Sequence, residues 1–184
     1  MADALSDVIR IDPPNGPRSD HPANAMLQRG KRSTVVDLTQ QDSRTRAQRL
    51  TVTACVVIEN FRPGVASRPG VRPETSMATN PRLIYCSIPG FGHGDPRDHT
   101  KAWDGVILAA AGIYVSKTPD SRENPVFSAV PYASSFGATL AARTTMATLA
   151  ARKAGQRFEI PLSSRCLRRS ATSVSASSPR HLSA

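Results

Sequence analysis

Two turn segments carry residue types that often bind ligands in proteins with alternating strands and helices. Asn60-Phe-Arg-Pro-Gly64 follows an apolar run that ends at Glu59, and such folds place binding loops directly after their strands. Gly90-Phe-Gly-His-Gly94 offers backbone amides that could cradle an anion. Spacing alone favours an ordinary strand-ending turn for the first segment. The second has neither GxGxxG spacing nor the Lys-Ser/Thr of a P-loop, so it is a weak phosphate motif.

Metal ligation and a hydrolase triad are not indicated by the remaining reactive side chains. The histidines show no ligand spacing and the cysteines form no CxxC pair, so we assign no metal and no disulfide framework. These residues are His21, His93, His99, His181, Cys55, Cys86 and Cys166. Ser134 and Ser135 do not lie in a GxSxG elbow, which argues against a serine hydrolase.

The elements that must position these turns alternate between strand and helix patterns. Apolar runs predict strands, and charged or alanine-rich stretches between and after them predict helices. The strands are expected within 7–11, 33–38, 55–59, 83–88 and 156–162, and the helices within 42–50, 103–114 and 135–153. Strands separated by helix-sized connections indicate an α/β fold, with a Rossmann-like parallel sheet and flanking helices. The run 55–59 is continuous and apolar, as is typical of a buried parallel strand.

Charge and composition set limits on partners and compartment. The chain has 184 residues and a net charge of +10, which suits an anionic partner but does not identify one. No export signal or long apolar run is visible, so a cytoplasmic protein that does not span a membrane is expected. Residues 163–184 are basic, rich in serine and free of acidic residues. They predict a disordered tail after a domain over residues 1–162.

Several segments, read in order, resemble family III CoA-transferases. The similarity runs from about Asp7 to Leu162, and the most specific part is the segment ENFRPG at 59–64. The other matching segments are DVIRIDPP at 7–14, GKRS at 30–33, VVDL at 35–38, NPRLIYCSI at 80–88 and GFG at 90–92. Members of this family include formyl-CoA and carnitine-type CoA-transferases and 2-methylacyl-CoA racemases. The resemblance implies an interlocked homodimer. Chains of this family are about twice as long as this one, so the fold is expected to be incomplete relative to the family.

The resemblance also implies which residues bind coenzyme A or acyl-CoA as substrate. Asn60 and Phe61 match the turn that receives the adenine and pantetheine region. Arg68 matches a basic residue near the CoA phosphates, where a planar guanidinium suits phosphate geometry. Lys101 matches a lysine that also contacts CoA. Trp103 stands where racemases carry a histidine, which favours the transferase branch.

The family's catalytic aspartate attacks the acyl-CoA thioester, forming a mixed anhydride and then an aspartyl-CoA thioester. Alignment through the helix at 144–152 puts that position at Ser134, so the nucleophile is predicted to be lost. Asp104, the nearest carboxylate, is a weaker candidate for a substitute. We therefore expect a truncated, inactive transferase-like protein.

Two other interpretations remain open. In one, a second chain supplies the rest of a two-chain CoA-transferase. In the other, which we consider unlikely, the arginine-rich tail binds nucleic acid electrostatically.

Overall fold

The computed structural model describes residues 6–16, 23–61, 71–113, 130–151 and 155–163. Arg68 and residues 164–184 of the predicted tail lie outside these ranges. Ser163, the first residue of that predicted tail, is buried. None of the helices within the described ranges is long and apolar enough to cross a membrane.

Strands and helices alternate along the chain, as the apolar pattern predicts. The first half contains β1 (Ile9–Asp12), α1 (Ala23–Leu27), β2 (Arg32–Val35), α2 (Gln41–Thr53) and β3 (Val56–Glu59). The second contains α3 (Pro73–Thr79), β4 (Ile84–Ser87), α4 (Asp104–Ala110), α5 (Tyr132–Ala150) and β5 (Arg157–Glu159). The short helices α1 and α3 were not predicted.

The strands form two parallel sheets flanked by helices, which confirms the α/β class. One sheet pairs β1 with β2, and the other has the order β3-β4-β5. In the three-stranded sheet, Glu59 is aligned with Ser87, and Ser87 with Glu159. These three residues end their strands, so the sheet presents them together at its carboxyl edge.

Burial in the three-stranded sheet follows strand position. The central strand β4 is covered on both faces, with Tyr85 and Cys86 fully buried. At the edge, β3 leaves Ile58 46% exposed. The expectation that the apolar run 55–59 is a buried strand is therefore wrong in part, because an edge strand has a neighbour on one side.

One asparagine ties this sheet to the helix before it. The side-chain Nδ2 of Asn80 donates to the carbonyls of Thr51, Val52 and Ala54, at 2.9–3.1 Å. The last carbonyls of a helix have no partner within it, so Asn80 satisfies the end of α2. It thereby fixes where the chain enters β3.

Helices α4 and α5 pack against a hydrophobic cluster that includes a residue of the loop after β4. Phe91, Ile107, Leu108 and Ala133 are its buried members. A cavity of about 460 Å³ lies beside them, lined mainly by apolar side chains of α4, α5 and the residues after β5. Helix α5 also exposes Phe136, which lines this cavity, and Met146.

Candidate functional site

The carboxyl edge of the three-stranded sheet is where the predicted binding turn begins. Parallel strands deliver their following loops to the same edge, and ligands in such sheets bind outside the carboxyl ends. Asn60 and Phe61 follow β3 there, with Asn60 exposed and Phe61 half-buried. The described part of the predicted turn therefore lies at this edge, with Asn60 accessible to solvent, while residues 62–64 of the same segment lie outside the described ranges.

Glu59, which begins the segment ENFRPG but was not predicted to have a role of its own, organises this turn. Its Oε2 accepts a hydrogen bond from the backbone N–H of Phe61 at 2.5 Å. Its Oε1 accepts a hydrogen bond from the hydroxyl of Ser87 on the neighbouring strand. Both oxygens of one carboxylate are thus occupied, one by the turn and one by the centre of the sheet.

The electrostatic setting of Glu59 favours its protonated form. Burial raises the pKa of this carboxyl, and the charge of Glu159 raises it further. The hydrogen bonds from Ser87 and Phe61, together with Arg157, oppose that rise. Desolvation is the largest cause, so the net pKa shift is upward from the ordinary value of 4.5.

A pH dependence of stability follows from this raised pKa. Between pH 4.5 and the raised value, folded Glu59 holds its proton while the unfolded side chain has lost it. Stability contributed by Glu59 is therefore present at low pH and lost as the pH rises through the folded pKa. In urea unfolding, the free energy of unfolding of the wild type minus that of Glu59→Gln should fall as pH rises from about 4 to 7. A difference that rises, or stays flat, would contradict the assignment.

Glu159 occupies the equivalent position on β5 and contacts the second glycine-containing loop. Its Oε1 accepts the backbone N–H of His93 at 2.8 Å. Phe91 of the same loop is buried, with the Arg97 guanidinium 4.5 Å from its ring centre. The loop that spacing suggested as a weak anion cradle is thus anchored by Phe91, while His93 and Gly94 are exposed and the His93 amide already has an acceptor.

Lys101 and Trp103 precede α4 and are both exposed. Within the described ranges, Lys101 makes no hydrogen bond or ion pair with Asn60 or Phe61. The structure therefore leaves these residues accessible and does not bring Lys101 into direct contact with the turn.

The two predicted catalytic positions, Asp104 and Ser134, do come together. Asp104 is the first residue of α4, and its Oδ1 accepts both the backbone N–H and the hydroxyl of Ser134, each at 2.7 Å. Ser134 lies in the first turn of α5, whose amides have no acceptor within the helix, and Pro131 provides no capping side chain. Asp104 therefore caps α5 from a different helix, which also places a negative charge at its N-terminus.

This geometry limits what either residue can do chemically. The Asp104 Oδ2 is buried and has no hydrogen-bond partner among the described residues, while Ser134 is exposed. No histidine or lysine contacts the Ser134 hydroxyl in the described part of the chain. The same part contains no group of three or more His, Cys, Asp or Glu residues that could hold a metal ion.

Comparison with known proteins identifies relatives of the whole described region. The sequence profile of CoA-transferase family III matches residues 1–178. The CoA-transferase/lyase DddD of Marinomonas sp. is 36% identical over 170 residues, covering 88% of this chain and 20% of that protein. Human alpha-methylacyl-CoA racemase is 38% identical over 125 residues, covering 68% of this chain and 31% of the racemase.

Solved structures agree with these sequence relatives. A CAIB/BAIF family protein from Brucella suis has a TM-score of 0.73 and 32% identity, over 88% of this chain and 47% of that one. The Mycobacterium tuberculosis protein Rv3272 has a TM-score of 0.75 and 27% identity, over 85% of this chain and 47% of that one. The chain thus spans less than half the length of the structures it matches and a smaller share of the curated relatives.

Proposed function

Because the chain belongs to CoA-transferase family III, we propose that it binds CoA or acyl-CoA at the carboxyl edge of the three-stranded sheet. Asn60 and Phe61 receive the adenine and pantetheine region, and Arg68 and Lys101 supply positive charge for the phosphates. The observation that carries the proposal is the anchored turn after β3, which holds Asn60 open at the edge where α/β sheets bind ligands. The net charge of +10 is in keeping with a cofactor that bears three phosphate groups.

We further propose that the chain, acting alone, does not transfer CoA between an acyl-CoA and a carboxylic acid. The family reaction needs a carboxylate that can form both an anhydride and a thioester. Ser134 stands at the proposed position, and an acyl-serine ester would not exchange with CoA in that way. Asp104 does not substitute readily, because its Oδ1 is already committed to the first turn of α5.

A two-chain transferase remains the second candidate. In that arrangement another polypeptide provides the catalytic carboxylate and the acceptor site. Pairing of two copies of this chain also stays a prediction, supported by the exposed apolar side chains of α5.

Thermal unfolding with and without CoA tests the proposed binding. CoA at a hundred times its Kd adds about 2.7 kcal/mol to folding stability by linkage. For a chain of this length that corresponds to a rise in Tm of about 5–10 °C. We expect the rise in the wild type and its loss in Arg68→Ala.

A matched arginine variant provides the control for charge. Arg46 is an exposed residue of α2, away from the carboxyl edge, so Arg46→Ala should keep the CoA-dependent rise. An unchanged Tm of the wild type at millimolar CoA would rule out the proposed function. An equal loss in both variants would show that binding depends on net charge rather than on Arg68.

A further inference from the structure

The hydrogen bonds of Glu59 bear on the conformation of the Asn60–Phe61 turn in the proposed CoA site. A turn gains affinity when its binding conformation exists before the ligand arrives, since ordering it on binding costs free energy. Phe61 has its backbone amide fixed by the Glu59 carboxylate at 2.5 Å, and its side chain is half-buried. Asn60, between them, is exposed and has its backbone held at both ends.

We propose that Glu59 is a positioning residue of the CoA site, holding the Asn60–Phe61 turn in its binding conformation through the bond from the Phe61 amide to its carboxylate, while Ser87 and Ile88 fix Glu59 itself to the neighbouring strand. This inference rests on the proposed function. Glu59 does not touch the ligand in this arrangement, and it acts through the backbone of the turn.

The chemistry of a carboxylate explains why glutamate suits this position. A carboxylate accepts hydrogen bonds through both oxygens, whereas a glutamine has one acceptor oxygen and an NH₂ that donates. Glu59 uses Oε1 for the Ser87 hydroxyl and Oε2 for the Phe61 amide. Glutamine at this position can accept the Phe61 amide through its oxygen and donate its NH₂ to the Ser87 oxygen, so both bonds become neutral ones and lose the strength that the carboxylate charge gives them.

The rigidity of the anchor comes from the sheet. Ser87 lies on the fully paired central strand β4, directly aligned with Glu59. The backbone N–H of Ile88 also donates to the Glu59 carbonyl at 2.8 Å. Glu59, which bonds the Phe61 amide, is therefore itself held against the central strand of this sheet.

Glu159 supplies a matched comparison at the same carboxyl edge of the sheet. It too ends a strand at the carboxyl edge, and its replacement by glutamine removes one negative charge, as Glu59→Gln does. Its one described contact, from the His93 amide to Oε1, can be kept by a glutamine oxygen. Glu159→Gln therefore controls for charge without breaking the turn.

The test measures the Kd of CoA by calorimetry and the unfolding free energy for the full chain and three variants. Glu59→Gln should raise the Kd about fivefold, in line with the replacement of a charge-assisted hydrogen bond to the Phe61 amide by a neutral one. Glu159→Gln should stay within about twofold of the wild type. Ser87→Ala removes the other side-chain bond of Glu59 but leaves the Phe61 amide paired and the Glu59 carbonyl bonded to the Ile88 amide, so its Kd should change by less than about twofold.

The positioning role requires that the Kd of CoA does not follow the free energy of unfolding from one variant to the next. Ser87→Ala and Glu59→Gln are both expected to lower the free energy of unfolding. If Glu59 had a purely structural role, the Kd of CoA would rise in both variants in proportion to that loss. The Phe61 amide resonance in a ¹⁵N spectrum should move in Glu59→Gln and stay nearly unchanged in Ser87→Ala. Wild-type CoA binding with an unaltered Kd in Glu59→Gln would overturn the role of Glu59 alone. Absence of CoA binding by the wild type would overturn the proposed function and this role with it.

Discussion

Replacing Gly90 with alanine is expected to lower the free energy of unfolding by about 3 kcal/mol. A Cβ built on Gly90 would lie 1.8 Å from the Cβ of Ala102 and 3.3 Å from its Cα. Both are atoms that no rotation of a side chain can move away, so the backbone would have to shift. The shift would reach Phe91, which is buried against α4 and α5, and hence the region around Asp104 and Ser134.

Gly94, in the same loop, gives the matched control. It has a positive φ of 80°, but an added Cβ would meet nothing within 4 Å. Gly94→Ala should therefore cost about 1 kcal/mol, the penalty of a left-handed backbone without any clash. Urea unfolding of both variants at one pH measures the difference. Equal losses, or a larger loss for Gly94→Ala, would show that the loop does not approach Ala102 as closely as described.

The fold class could be predicted because the strongest signals are local. Apolar runs mark β3 and β4, and the alanine-rich stretch marks α5, whose predicted and observed starts differ by three residues. Helix α3 was missed although Pro73 at its first position and Glu74 in its first turn are start signals, because it has seven residues and little periodicity. The division into two sheets depends on strand pairing, which no local pattern encodes.

The candidate site was predictable as a location and much less so as a set of contacts. The strand pattern ending at Glu59 was enough to place Asn60 and Phe61 at the carboxyl edge of a sheet, whereas their role in binding CoA was predicted from the family resemblance. The bond between Glu59 and Ser87 depends on strand register across 28 residues, and periodicity does not give register. The Asp104–Ser134 contact spans 30 residues. Its one sequence signal is indirect, since Pro131 at the start of α5 cannot cap it and a remote side chain is therefore required.

Placing an aspartate at Ser134, the position predicted to match the family's nucleophile, is expected to destabilise the fold at neutral pH. The Asp104 carboxylate already receives the hydroxyl and amide of Ser134 at 2.7 Å each. Ser134→Asp would bring a second carboxylate against it and replace an attractive hydrogen bond with like-charge repulsion. Because Ser134 is exposed and solvent screens the pair, we expect a loss of about 2 kcal/mol at pH 7.5 rather than the larger value of a buried pair.

The companion change Asp104→Asn should restore most of that loss. An asparagine keeps an acceptor oxygen for the amide in the first turn of α5, and its NH₂ can donate to the new carboxylate. Asp104→Asn by itself should cost about 0.5–1 kcal/mol, because it removes a negative charge from the N-terminus of α5. In a double-mutant cycle the two changes should therefore couple favourably by at least about 1 kcal/mol.

The pH dependence identifies the cause of the coupling. At about pH 4, where one carboxylate of a close pair holds a proton, Ser134→Asp should recover much of its stability relative to the wild type. Thermal and urea unfolding at both pH values, on all four proteins of the cycle, measure this. If Ser134→Asp proves neutral at pH 7.5, Asp104 does not cap α5, and a carboxylate nucleophile would fit beside it. If it is destabilising as expected, the Asp104 cap is what makes an aspartate at this position incompatible with the present chain, and regaining the family's nucleophile would require changing both residues.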